Sequence, residues 1–278
     1  MMATSEVKAL IEGEWSVDQV FDDVTTQLLG TAAQAPARAE IRAKQAGVFS
    51  GSAVVEAYQS LLGKLKIVPE VKEGQDFKVG DILVRLQGAQ GDLLVFERTF
   101  LNLLCHLSGV ATLTREYVNA MGETSTKLLA TRKTLPGLRS LQLLAVRAGG
   151  GYVHRRSLSD GILIKDNHQE AVPILELIET ARRVKSPLHR IEVEVADFET
   201  LEKVLGNPPD VIMLDNFEVS DLKKAISLID GRTEVEISGG VNLESIKVLA
   251  SLGADSISVG RITHSAPSVD LSMDLYRE

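Results

Sequence analysis

Residues 191–216 read IEVEVADFETLEKVLGNPPDVIMLDN, and this stretch decides the fold class. Ile191–Glu192–Val193–Glu194–Val195 alternates with the two-residue period of a strand, isoleucine and valines on one face and glutamates on the other. A helical pattern from Leu201 to Leu205 follows, and Val211–Ile212–Met213–Leu214 reads as a second strand ending at Asp215–Asn216. Strand, helix and strand in succession argue for a parallel sheet covered by helices.

The unit repeats outward in both directions. Short apolar strands are predicted at 128–131, 161–164, 235–237 and 256–259, with helices over 171–184, 222–229 and 243–252. A barrel and an open doubly wound sheet both fit. No GxGxxG follows a first strand, which weighs against a dinucleotide fold. Polar residues recur where the strands end, as in a barrel-type site.

Upstream the pattern changes. Residues 1 to about 30 look helical, with Trp15, Val17, Val20 and Phe21 on an apolar face and Asp22–Thr26 as a helix end with capping residues. Strands are expected in 38–49, 65–71 and 82–86 and a helix over 52–62, together a small α+β unit with a mostly antiparallel sheet. Leu101, Leu104, Leu107 and Leu113 recur at helical spacing, with Ser108–Gly109 as a point of interruption.

The 278 residues, 44% of them apolar, suffice for one large or two smaller domains. A net charge of −8 argues against general nucleic-acid binding. Cys105 is the single cysteine, so no internal disulfide forms. No long charge-free apolar run reads as a membrane span, and no basic segment with a signal-peptide core opens the chain; a cytoplasmic enzyme is the expectation.

Against this acidic background, cations gather at predicted strand ends. They are Arg132 and Lys133 in Thr131–Arg132–Lys133–Thr134, His154–Arg155 after Gly149–Gly150–Gly151, and Lys165 after Gly161–Ile164. Such a grouping suits a phosphorylated or carboxylated substrate; singly, each would be an ordinary surface ion-pair partner. If the apolar side of 191–195 packs on helices, both glutamates face inward and need a cation, metal or hydroxyl partner. Val211, Met213 and Asp215 share a face, as do Glu236 and Ser238. Ser238–Gly239–Gly240 precedes a helix expected to be capped by Asn242, and Val259–Gly260–Arg261 follows the last strand; paired loops of this kind form phosphate sites.

The ordered set Glu97–Asn102, Leu107–Thr112, Thr131–Thr134, Pro136–Arg139, His154–Arg155, Ile164–His168, Glu192–Glu194, Met213–Asn216, Ser238–Gly240 and Ile257–Gly260 resembles the quinolinate phosphoribosyltransferases over nearly the whole chain. The resemblance implies an N-terminal α+β sandwich-like domain with its linking helix (1–110), a C-terminal incomplete α/β barrel (111–266), and a tail (267–278) returning to the N-terminal domain. It implies decarboxylating transfer of phosphoribosyl from 5-phosphoribosyl-1-pyrophosphate to quinolinate. Arg132, Arg155 and Lys165 would bind the substrate carboxylates, with Arg98 reaching across a homodimer. Lys133 and His154 would line the same anionic site. Glu194 and Asp215 would organise ribose hydroxyls and Mg²⁺-pyrophosphate, directly or through water. Ser238, Gly239, Gly240 and Gly260 would hold the 5′-phosphate. Lys133, Lys165, Glu194 and Asp215 are the expected catalytic set.

The sequence departs from the family pattern at Asp22, at Gln142–Leu143–Leu144, at Val153 and at Ser157. These leave open a paralogue with another acceptor, such as the molybdenum-transport-associated type, or a non-catalytic phosphate-ligand-binding regulator.

Overall fold

The computed structural model describes residues 4–277; residues 1–3, where the first helix was expected to begin, and Glu278 lie outside them. In chain order the elements are α1 (Thr4–Asp18), α2 (Val24–Gln27), β1 (Pro36–Ala43), β2 (Gly47–Val48), α3 (Ser52–Leu61), β3 (Lys66–Pro69), β4 (Asp76–Phe77), β5 (Ile82–Ala89), α4 (Gln90–Met121), β6 (Lys127–Ala130) and α5 (Arg139–Ala148). They continue as β7 (Tyr152–Val153), β8 (Ile162–Ile164), α6 (Asp166–Gln169), α7 (Ile174–Val184), β9 (Ile191–Val195), α8 (Phe198–Leu205), β10 (Val211–Asp215), α9 (Val219–Ile229), β11 (Glu234–Ser238), α10 (Ile246–Ala250), β12 (Ser256–Val259), α11 (Arg261–His264) and β13 (Leu271–Arg277). The chain divides into two compact units. One holds residues up to Arg115, Leu135–Gly150 and Ser265 onward; the other holds Glu116–Thr134 and Gly151–His264. The 110/111 boundary expected from the sequence falls inside α4.

The first unit is built on an antiparallel sheet in the order β13-β1-β5-β3. Along β1 the small apolar residues Ala37, Ala39, Ile41 and Ala43 are buried, as strand alternation requires. Between them Glu40 and Arg42 form an ion-pair row with Arg85, Glu70 and Asp274. The last strand, β13, returns to pair with β1 from Ala37↔Arg277 to Ala43↔Leu271. Ser108–Gly109 does not interrupt α4: a Cβ on Gly109 would stand 2.0 Å from the Pro267 carbonyl oxygen, so this glycine serves close packing. By length and composition α4 could cross a membrane, yet 61% of its apolar window is buried inside the protein, as befits a core helix.

Two N-terminal expectations need correction. Trp15 and Val20 are buried, but Val17 and Phe21 are 82% and 75% exposed: two residues on from Trp15, Val17 falls on the opposite face of the helix, and Phe21 lies past the helix end at Asp18. Asp23 begins a helix rather than ending one, its carboxylate accepting from the Thr25 amide at 2.9 Å.

The second unit is an incomplete α/β barrel. Seven strands lie in the order β7-β6-β12-β11-β10-β9-β8, all parallel. β7 and β8 follow one another in the chain but occupy opposite edges, so the sheet curls without closing. The sequence missed β7, since two residues carry no periodicity. α7 and α8 pack on the sheet through Ile178, Leu201 and Val204, which covers the apolar face of β9. All five residues of β9 are consequently buried, and its glutamates turn into the barrel interior.

Candidate active site

The carboxyl ends of parallel strands expose the last inward side chains and the loop amides that follow them. Ile164 stands opposite Val193, so Lys165 emerges beside Glu194, and its ammonium bonds that carboxylate. Two further contacts fix the pair: the Lys165 amide donates to His168 Nδ1 at 2.9 Å, and Gln169 Nε2 donates to the Glu194 carbonyl at 2.9 Å. Asp215 ends the neighbouring strand and accepts from Asn216 Nδ2 at 2.6 Å. Asn216 is left-handed (φ 57°) and donates its amide to the Ser238 carbonyl at 2.9 Å, tying this strand end to the next loop.

That loop forms one wall of a cavity of about 350 Å³ in which Lys133, Ser238, Gly239, Gly240, Gly260 and Ser258 all take part. Gly239 has φ 97°, and a Cβ there would fall 2.2 Å from Asn216 Oδ1 and 2.7 Å from its amide nitrogen. Gly260 is flanked by Lys133 Cδ at 3.0 Å and the His264 ring at 3.3 Å from its would-be Cβ. Thr263 Oγ1, in α11, donates to the Lys133 carbonyl at 2.6 Å and anchors the segment that follows β6. Asn242 Oδ1 accepts from the Glu244 and Ser245 amides, both at 2.9 Å, in the turn that leads into α10. That helix is shorter than the 243–252 expected, because the side-chain turn takes up its first residues.

Below this rim lies a second polar layer. Glu192 and Glu236 sit one inward position deeper than Glu194 and Ser238 on their strands. His154 was expected to line the anionic site; its Nε2 lies 2.6 Å from Glu192 Oε2 and 3.4 Å from Glu236 Oε2. Burial opposes charge on the imidazole, yet the bond to Glu192 and the proximity of Glu236 outweigh it, so the His154 pKa is raised. Burial, then the Glu192 charge, pushes the Glu236 carboxyl up to about 8. Arg155 donates to the Gly161 carbonyl at 3.2 Å; burial and the neighbouring Arg132 charge lower its pKa. The Arg132 Nε is buried with no partner, a donor left for a ligand.

The second unit thus brings together every expected site residue except Arg98, which belongs to the first unit on the exposed side of α4. Sequence reasoning turned Glu192 inward and put Glu236 on the face of Ser238 but gave neither a role at the site, and it passed over His264. His264 was findable one helical turn after Gly260, whereas the depth of Glu192 and Glu236 depended on barrel curvature.

Two of the departures from the family pattern, Ser157 and Gln142, are absorbed locally. Ser157 does not have positive φ, so the structure asks for no glycine there. Asp160 gathers the segment instead, accepting from Ser157 Oγ at 2.9 Å and the Arg156 amide at 2.7 Å. Gln142 is fully buried; its Oε1 accepts the Leu135 amide at 3.0 Å and its Nε2 lies 2.8 Å from His106 Nε2.

Two family descriptions, the N-terminal and C-terminal domains of quinolinate phosphoribosyl transferase, match residues 23–108 and 110–274. The chain belongs to the quinolinate phosphoribosyltransferase family. It is 39% identical over 272 residues to a probable carboxylating nicotinate-nucleotide pyrophosphorylase of Bacillus subtilis, covering 97% of this chain and 93% of that one. It is 43% identical over 213 residues to the carboxylating nicotinate-nucleotide pyrophosphorylase of Mycobacterium leprae, covering 76% and 75%. The solved nicotinate-nucleotide pyrophosphorylase of Francisella tularensis superimposes with a TM-score of 0.92 at 32% identity, over 99% of this chain and 98% of that one. This quinolinate phosphoribosyltransferase is therefore a transferase whose candidate site occupies the carboxyl end of the half-barrel.

Proposed function

We propose that this enzyme joins the ring nitrogen of quinolinate to the anomeric carbon of 5-phosphoribosyl-1-pyrophosphate. Pyrophosphate and carbon dioxide leave, and nicotinate mononucleotide, a precursor of NAD, remains. One observation carries the reading: Arg132, Lys133, Arg155 and Lys165 share the carboxyl end of one half-barrel with Glu194, Asp215 and the Ser238–Gly240 and Gly260 loops. Arg132, Arg155 and Lys165 would take the acceptor carboxylates, and the loops and Lys133 the 5′-phosphate. His154 orients the acceptor from below.

Leaving of pyrophosphate builds positive charge on the ribose and negative charge on the departing group. Glu194 and Asp215 tolerate the first, and nearby cations stabilise the second. The ring nitrogen attacks without an enzyme nucleophile, so holding the two substrates in line is the main task. The carboxylate next to that nitrogen is then lost as carbon dioxide; its electron pair stays on the ring carbon beside the cationic nitrogen, and that carbon takes a proton from solvent water. Glu194 and Asp215 offer the hard oxygen donors that Mg²⁺ prefers, directly or through water. Bound there with pyrophosphate, Mg²⁺ would supply charge neutralisation of the leaving group. Lys165 would release Glu194 as it turns to the acceptor.

We further propose a homodimer in the cytoplasm, with Arg98 completing the partner's site. The test is a mass-spectrometric assay of the purified protein with quinolinate, 5-phosphoribosyl-1-pyrophosphate and Mg²⁺. Nicotinate mononucleotide and carbon dioxide should form together. Preference for nicotinate would overturn the acceptor, and ligand binding without product would make this a phosphate-ligand-binding regulator.

A further inference from the structure

Barrel interiors are ordinarily filled by branched apolar side chains. Here the middle of the half-barrel holds His154, Glu192 and Glu236 instead, with Ser256 and Ser258 beside them. The ligand atoms of the first three lie within 4.8 Å of one another. Glu192 and Glu236 are 6% and 2% exposed. Ser258 Oγ donates to Glu236 Oε1, and Ser256 Oγ reaches Glu236 Oε2 at 3.4 Å. Glu192 Oε2 meets His154, but Glu192 Oε1 is buried without a hydrogen-bond partner. Two buried carboxyl groups thus face one imidazole in the middle of the half-barrel.

We propose that His154 Nε2, Glu192 and Glu236 form a binding site for one divalent transition-metal ion of the Zn²⁺ class. One imidazole and two carboxylates are a borderline nitrogen–oxygen set that suits Zn²⁺ better than Mg²⁺. A tetrahedral ion with bonds of about 2.1 Å sets its ligands roughly 3.4 Å apart. The Nε2–Glu236 separation is already 3.4 Å, and the 2.6 Å Nε2–Glu192 separation opens by under about 1 Å once the shared proton leaves. A cavity of about 330 Å³ is lined by all three residues, with Asp160 and Arg190 among its other walls, and gives room for a water as fourth ligand. Ser258 serves as the outer partner that orients Glu236. With Nε2 coordinated, His154 keeps Nδ1–H as a donor, so the ion fixes the tautomer of a residue next to the proposed acceptor site.

The site is distinct from the Mg²⁺ position proposed at Glu194 and Asp215, and its test needs no turnover. Metal-stripped protein is titrated with Zn²⁺ by calorimetry in excess Mg²⁺, and with Co²⁺ while the visible ligand-field bands are recorded. One equivalent of Zn²⁺ should bind despite Mg²⁺, and Co²⁺ should give four-coordinate bands. Glu236→Gln should weaken uptake at least about a hundredfold, and Ser258→Ala, which leaves all three ligands in place, about tenfold to a hundredfold. Circular dichroism confirms that each variant is folded; if Glu236→Gln is not, Ser258→Ala decides. No stoichiometric uptake would mean that the cluster only shares a proton. Unchanged uptake in both variants, or loss only in Glu194→Gln, would place the ion elsewhere. Any of these results overturns the proposal.

Discussion

Gly239→Ala separates backbone strain from steric blockage at the proposed phosphate loop. Gly239 has φ 97°, and its new Cβ would lie 2.2 Å from Asn216 Oδ1 and 2.7 Å from the Asn216 amide nitrogen. The side-chain oxygen can rotate away; the amide cannot, because it is bonded to the Ser238 carbonyl at 2.9 Å. The loop must therefore move, and its amides leave the phosphate position. A control isolates the strain: Gly231 has φ 68° with nothing within 4 Å of a Cβ, in the turn that enters β11 from the opposite end. Alanine in either left-handed position costs about 1–2 kcal/mol of stability. Only at 239 should binding also suffer. Loss of one charge-assisted amide–phosphate bond, about 1.5–3 kcal/mol, corresponds to a rise in KM of roughly ten- to more than a hundredfold. Steady-state kinetics with 5-phosphoribosyl-1-pyrophosphate as the varied substrate, alongside thermal unfolding, measure both effects. Equal KM values for Gly239→Ala and Gly231→Ala at similar Tm would refute the assignment of this loop to phosphate.

Glu194→Gln and Asp215→Asn remove charge while keeping shape, so each should lower kcat by tenfold or more with a Tm change of a few degrees at most; wild-type kinetics across a Mg²⁺ titration would remove that residue from the leaving-group side. Inactive Arg98→Ala and Glu194→Gln proteins, mixed under subunit exchange, should regain up to about one good site per mixed dimer; no recovery among heterodimers verified by mass spectrometry would confine Arg98 to its own subunit. Glu236, pushed up to about 8, holds in the folded state a proton that the unfolded chain loses above its ordinary 4.5, so stability falls as pH rises between these values. His154 acts in the same sense, its raised pKa giving stability that is full below 6.5 and lost as pH climbs through the folded value. Tm in the presence of chelator should decline across that range and decline less in Glu236→Gln; a Tm that rises with pH would contradict the buried-proton account.

Much of the molecule was legible in the chain because local rules had nothing to compete with. The alternation of Ile191–Val195, the helical spacing of Leu101, Leu104 and Leu107, and the Ser238–Gly240 turn follow from backbone period and glycine conformational freedom, and each forms as read. Cations at strand ends were legible for the same reason, since a parallel strand delivers its last residue to one rim. Pattern alone could not choose between barrel and open sheet: that choice rests on β6 pairing with β12, across more than a hundred residues of chain. The same curvature brings His154, just past the end of β7, beside the inward Glu192 of β9 and Glu236 of β11. Which face a residue occupies is a property of its neighbours in sequence; what it meets there is set by the closing of the sheet, which no local period encodes.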